Sequence, residues 1–181
     1  MFYNKKANKR NNGNRFLYFL ISCIIIVALL LAVEGGFIKN TIGGEQLFWY
    51  SGFCGLGIAL LCAVLLKRLK PTVYEDKNQR NSILTALFMV WFFFTPVVVS
   101  FINRMLSNAP ITCSQYSILS KSTGGSRYTE YCLLVDVNGE REQFTVSEEV
   151  YKSMVAPGSV QLCTQKGVIG YEVVREFKPV K

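Results

Sequence analysis

The sequence predicts an α-helical membrane region, three transmembrane helices, followed by a small α+β domain. The second part is expected in the order β-β-β-α-β-β, as a sheet or a partly open barrel. Three observations carry this prediction. Residues Phe16 to Val33, Gln46 to Leu66 and Asn81 to Asn103 form runs without a single charged side chain. From Pro110 onward charges return and apolar residues alternate instead of running. Half of the 181 residues are hydrophobic and only 18% are charged, an apolar balance for a water-soluble chain.

The uncharged runs come first. A hydrocarbon layer about 30 Å thick is crossed by roughly 20 residues rising about 1.5 Å each. All three runs reach that length, so spans are expected at about 16–34, 46–66 and 83–103, inside a region 16–106 and behind a basic tail at 1–15. The second run contains Gly55-Leu56-Gly57, the opening of a dinucleotide-binding fingerprint. That fingerprint needs a preceding strand, a third glycine and an acidic residue about 20 positions on. Here position 60 is leucine, and Lys67, Arg68 and Lys70 follow. Nucleotide binding is rejected. Ser51, Gly55, Ala59 and Ala63 instead recur every fourth residue, on one helix face. In lipid such a small-residue stripe lets two backbones approach, so these four predict a helix-packing seam, within the chain or with a partner. In the third run Pro96 follows Thr95. Proline withholds a backbone donor and is expected to kink the helix. Trp49 and Tyr50 suit the membrane–water interface.

Basic residues predict the orientation. The tail has Lys5, Lys6, Lys9, Arg10 and Arg15. The first connection has only Lys39, with Glu34 and Glu45, and the second has Lys67, Arg68, Lys70, Lys77 and Arg80. This alternation places the N-terminus in the cytoplasm and the C-terminal segment outside. The first helix has no evident cleavage site, so it reads as an uncleaved anchor. Most of the formal net charge of +8 falls in the two cytoplasmic segments, where topology and anionic lipid account for it. No nucleic-acid partner is expected.

The C-terminal domain is expected over 110–178. "ITCSQYSIL" reads as a first strand and "KSTGGSR" as a flexible loop. Tyr131, Leu133, Val135 and Val137 alternate along a second strand, and Asn138-Gly139 supplies a tight turn into a third carrying Phe144 and Val146. Ser147 can cap a helix from Glu148 to Val155, ended by Ala156-Pro157-Gly158. Two further strands flank Lys166-Gly167. The segment "YKSMVAPGSVQLCTQKGVIGYEVV" has a tyrosine, a Pro-Gly turn, a strand and a glycine-flanked strand. It resembles a loosely defined group of small bacterial multi-pass inner-membrane proteins with a C-terminal extracytoplasmic β-rich domain. The resemblance covers about a third of the chain and implies fold and location, with no catalytic motif to carry over.

Cys23, Cys54 and Cys62 fall in the spans as small apolar residues. Cys113, Cys132 and Cys163 fall in the outer domain, where an oxidising compartment permits a bridge. Strand parity sets all three toward the less apolar face. The expected pair is Cys113 with Cys132, the alternative Cys132 with Cys163, and one thiol is left over.

The chain has no histidine, which removes Ser-His-Asp and Cys-His catalysis and His-dependent zinc sites. The cysteines lack zinc-finger and C-x-x-C spacing. Glu140 with Glu142 flank a turn, and Glu148 with Glu149 start a helix, where negative charge suits the dipole. Ser120-Lys121 and Ser126-Arg127 lie in or beside a loop without dyad spacing. No ionisable residue falls within the interior of any expected span, which disfavours ion-coupled transport by this chain alone. Catalytic residues, metal ligands and cofactors are all expected to be none. The function expected is that of a non-enzymatic inner-membrane protein. Its partners would be the lipid bilayer and another membrane or envelope protein, with a homo-oligomer open. The alternatives are an immunity or exclusion factor against a toxin or incoming DNA, and a thiol-dependent redox protein.

Overall fold

A computed structural model describes residues 3–69, 71, 77–124 and 129–180, with side chains from residue 18 onward. Helix α1 is Tyr3–Lys39, α2 Gly44–Leu69 and α3 Lys77–Met105. Strands β1 (Ile111–Gly124), β2 (Glu130–Val137) and β3 (Glu140–Val146) follow, then α4 (Glu148–Ser153), β4 (Gly158–Lys166) and β5 (Glu172–Pro179). The order β-β-β-α-β-β is as expected. Two compact units result. One holds the helices up to Val33 and from Phe48 to Val99; the other holds Glu34–Leu47 together with everything from Ser100. The second unit is therefore discontinuous in sequence and includes one end of each of the three helices.

In the helical unit, three helices among the described residues are long and apolar enough to cross a membrane: Tyr18–Lys39, Gly44–Leu69 and Lys77–Met105. Less than a third of each apolar window is buried. Phe19, Ile25, Ile26, Leu29, Phe53, Leu60, Leu61 and Val64 are all exposed. Apolar surface on that scale, on helices long enough to cross a membrane, points to membrane association. The helices outrun the expected spans at both ends because lack of charge marks only the hydrocarbon layer. Lys and Arg are good helix formers and prolong the backbone ladder past it. At the other end of α1, the helix continues through Glu34, Gly35 and Gly36 to Lys39. Inside the unit Leu20, Ile83 and Ala86 form a small core joined by Leu66.

The second unit is built on a five-stranded antiparallel sheet in the order β3-β2-β1-β4-β5, curled into a half-barrel. Its core is Ile118, Leu133, Val135, Val137, Phe144, Val146, Met154, Val160, Leu162 and Val174. The alternating residues of β2 and β3 point there, as their period of two requires. Asn138 (φ 57°) and Gly139 (φ 91°) both adopt positive φ, which a two-residue primed turn needs. Asp136 Oδ1 accepts from Gly139 N at 2.8 Å.

β1 is longer than expected. Lys121 to Gly124, read as loop, pair with β2 from Leu133 to Glu130. The strand is also staggered between its neighbours. Ile111 to Ile118 pair with β4, whereas Ser117 to Gly124 pair with β2. Only Ser117 and Ile118 have a partner strand on both sides. The N-terminal half, Ile111 to Gln115, is exposed throughout. α4 ends two residues short of expectation. Ser147 caps its start, accepting from Val150 N at 3.4 Å. Lys121 holds its end, donating to the carbonyls of Tyr151 and of Met154 (2.8 Å), with the ammonium 4.1 Å over the Tyr151 ring.

Candidate functional site

The polar groups that converge in this protein lie where the helix ends meet the sheet. β3 and β5 are the two edge strands, and a bare edge is a hazard. The turn between α1 and α2 bonds to part of each. On the β5 side, Ile42 N donates to Glu172 O (2.8 Å) and Val174 N donates to Asn40 O (2.9 Å), with Thr41 bridged antiparallel to Val173. On the β3 side, Thr145 N donates to Asn40 Oδ1 (3.0 Å) and Gly43 N donates to Glu142 Oε1 (2.9 Å). Asn40 thus serves β5 with its backbone and β3 with its side chain. Phe144 of β3 and Phe177 of β5 meet edge to face, centroids 5.9 Å apart. Gly43 sits at φ 71°, with the Tyr171 ring about where a Cβ would point. Lys39 and Glu130 add an exposed ion pair at 3.2 Å.

A second cluster is charged. Glu34 is 5% exposed, Ser100 5%. Arg104 donates to Glu34 Oε2 at 3.1 Å, and Ser100 Oγ donates to Glu34 Oε1 at 3.0 Å. The guanidinium lies 3.8 Å over the Phe37 ring. Arg104 Nε is buried without a hydrogen-bond partner. Glu34 directly follows the uncharged run of α1 and Arg104 that of α3, and the glutamate is neutralised across the helix pair. A buried charge needs a partner, and this one is supplied from α3.

The third junction is Asn103, 1% exposed. Its Nδ2 donates to Tyr171 O (3.1 Å) and its Oδ1 accepts from Ile169 N (3.0 Å); its carbonyl accepts from Val168 N (3.3 Å). Gly167 makes this docking possible: a Cβ there would fall 2.2 Å from Asn103 Oδ1.

The residues singled out in the sequence fall as follows. Ser51, Gly55, Ala59 and Ala63 are all buried. A Cβ on Gly55 would lie 2.3 Å from Trp91 O and 2.6 Å from Thr95 Oγ1 of α3, so the stripe faces α3 of the same chain at Gly55. Phe92 meets the rings of Phe48, Trp49 and Phe53. Pro96 is buried and does not end α3, which runs through it to Met105. Thr95 Oγ1 donates to Trp91 O at 2.8 Å.

The disulfide expectation is corrected. Cys113 is bridged to Cys163, their Cα atoms 4.0 Å apart, and Cys132 is free and buried. The stagger of β1 is the reason. Cys113 is directly opposite Cys163 on β4. Cys132 is opposite Ser122, nine residues further along β1, or about 30 Å at about 3.3 Å per residue. No disulfide spans that distance, which rules out both Cys113–Cys132 and Cys132–Cys163. Parity also misled. The register of β4 shifts between Cys163 and Thr164, and such a bulge lets consecutive residues be buried, here Leu162, Cys163 and Thr164.

Glu142 is occupied by Gly43 N. Glu148 forms an i,i+4 pair with Lys152 at 2.6 Å, which holds its carboxyl below the usual carboxylate range and lifts the Lys152 ammonium. Lys121 is engaged with α4 rather than with Ser120. Ser126 and Arg127 lie outside the described residues. Among the described residues no three His, Cys, Asp or Glu side chains are placed to hold a metal ion. No protein-family model matches the chain, and no curated protein matches it.

Proposed function

We propose that this is a non-enzymatic integral protein of the bacterial inner membrane that presents its half-barrel outside the cell membrane and binds an envelope or membrane protein there. The observation that carries the proposal is the open flank of β1. Ile111 to Tyr116 are paired along one edge, to β4, and among the described residues have no strand on the other. An exposed strand edge accepts an extended segment of a partner by strand addition, with main-chain hydrogen bonds for affinity and alternate side chains for specificity. The α1–α2 turn bonds to part of each outer edge, at Thr145 of β3 and at Glu172 and Val174 of β5, whereas the exposed stretch Ile111 to Gln115 of β1 receives no such bond among the described residues. The outside location is supported by the alternation of basic loops and by a bridged Cys113–Cys163 pair, which an oxidising compartment maintains. A thiol-dependent role has less support, since the unbridged Cys132 is buried.

Site-specific photo-crosslinking in intact cells of the source bacterium tests this. A photoreactive amino acid at Gln115, on the open flank, is expected to trap a discrete partner. The same probe at Glu176, on β5, serves as the comparison. Trapping of only a second copy of this chain supports a homo-oligomer in place of the proposed partner. No adduct at Gln115 above that at Glu176 refutes strand addition.

A further inference from the structure

We infer that the tip of the β4–β5 hairpin, Val168-Ile169, is a second membrane contact, an apolar finger set into the lipid interface beside the end of α3. The inference rests on the reading of α1 to α3 as membrane spans, and adds a lipid-binding role for the sheet unit itself. Val168 is 59% exposed and Ile169 47%. Two branched apolar side chains at a turn, where glycine and polar residues are the usual choice, have no core reason to be there. They are aimed by specific bonds rather than left loose. Val168 N and Ile169 N both donate to Asn103, whose side-chain amide returns a bond to Tyr171 O. The base of the same hairpin is tied to the chain leaving α3: Ser107 Oγ donates to Lys166 O (2.5 Å) and Gln165 Nε2 to Ala109 O (3.0 Å).

Asn103 lies two residues before the end of α3, in the last turn of a candidate span. The residues around it are apolar and uncovered: Phe101 49%, Ile102 37%, Met105 58%, Leu106 61%. The hairpin tip therefore continues the lipid-facing surface of α3. Its occupant is the bilayer itself, because that surface is already committed to lipid and the tip is bonded to it at the same level. Tyr171, half-buried against Gly43 at the base of the hairpin, is of the residue type favoured at the headgroup boundary. Apolar residues set into this zone beside basic ones bind by buried area plus attraction to anionic lipid, and Arg175 next to the junction donates to Arg104 O at 3.3 Å.

The test uses the full-length protein in phosphatidylethanolamine–phosphatidylglycerol vesicles, with no protein partner present. An environment-sensitive fluorescent amino acid is placed genetically at Val168, at Val155 or at Leu60. Val155 is 73% exposed and lies beyond the opposite end of β4, about 26 Å away along that strand at about 3.3 Å per residue. The quencher is a nitroxide carried on the lipid, near the headgroup or deep in the chain. The expected result is a blue-shifted, quenched signal at position 168 with the shallow nitroxide, deep quenching at position 60, and no quenching at position 155. Quenching at 60 with none at 168 overturns the finger and leaves the spans standing. No quenching at 60 overturns both the finger and the membrane reading on which it rests. Failure of the Gln115 crosslink would touch neither result.

Discussion

Removing the Arg104 side of the buried ion pair should destabilise the sheet unit more than any single surface change. The two charges stand 3.1 Å apart, with side chains only 17% and 6% exposed. At an effective dielectric of about 20, Coulomb attraction at that distance is about 5 kcal/mol before desolvation is subtracted. Deleting one partner of such a pair costs about 3–5 kcal/mol, because the other charge is left buried and unpaired. Arg104→Met would strand Glu34 with only the Ser100 hydroxyl. Glu34→Leu would strand a guanidinium whose Nε already lacks a partner. The double variant Glu34→Leu, Arg104→Met removes both charges and keeps the volume, so it should cost far less than the sum of the singles, giving a coupling energy of about 3 kcal/mol. The assay is equilibrium unfolding of the intact protein in mild-detergent micelles, followed by near-ultraviolet circular dichroism. Single variants within about 1 kcal/mol of the parent, as for exposed pairs, or a strictly additive double, would refute the argument.

Gly55→Val should lower the unfolding midpoint, since its Cβ would meet Trp91 O at 2.3 Å and overpacking costs about 1–3 kcal/mol; Gly57→Ala, with nothing within 4 Å, is the control, and equal effects would dismiss the close approach. Replacing Cys113 and Cys163 by serine should cost roughly 4 kcal/mol, because the bridge closes a loop of 50 residues in the unfolded chain; an unchanged midpoint would contradict this. Glu148 has a carboxyl lowered by Lys152. Its pairing therefore favours the folded state above the unfolded carboxylate value and is lost as pH falls through the lower folded value. A carboxyl-carbon titration by NMR should show the Glu148 midpoint move up in Lys152→Ala, and a fixed midpoint would remove Lys152 as the cause.

Much of this architecture is written in short-range pattern. Length and lack of charge are sufficient for the three long apolar helices, since a helix satisfies its backbone internally and can cross a lipid layer. Alternation of Leu133, Val135 and Val137 with the Asn138-Gly139 turn is sufficient for the β2–β3 hairpin. The stripe Ser51, Gly55, Ala59 and Ala63 was visible as a stripe because helix periodicity places those residues together. Its partner face on α3 was not, because Trp91 and Thr95 carry no mark that pairs them with Gly55. Lys121 to Gly124 carry no local strand signal, because what makes them strand is their pairing with Leu133 to Glu130 of β2.

The sequence by itself determined the number and kind of elements, since those depend on periods of two and 3.6 residues and on runs of apolar side chains. Tertiary structure alone decided how they join. The stagger of β1 chose Cys163 over Cys132, a register difference that local alternation cannot encode. The α1–α2 turn met both outer strands through Asn40, whose contacts reach across 105 positions to Thr145. Glu34 became part of a buried pair only because Ser100 and Arg104, 66 and 70 positions on, came to face it. The last two are long-range contacts between polar groups that must be satisfied once buried, and such a requirement becomes visible only when the chain has brought both groups out of water.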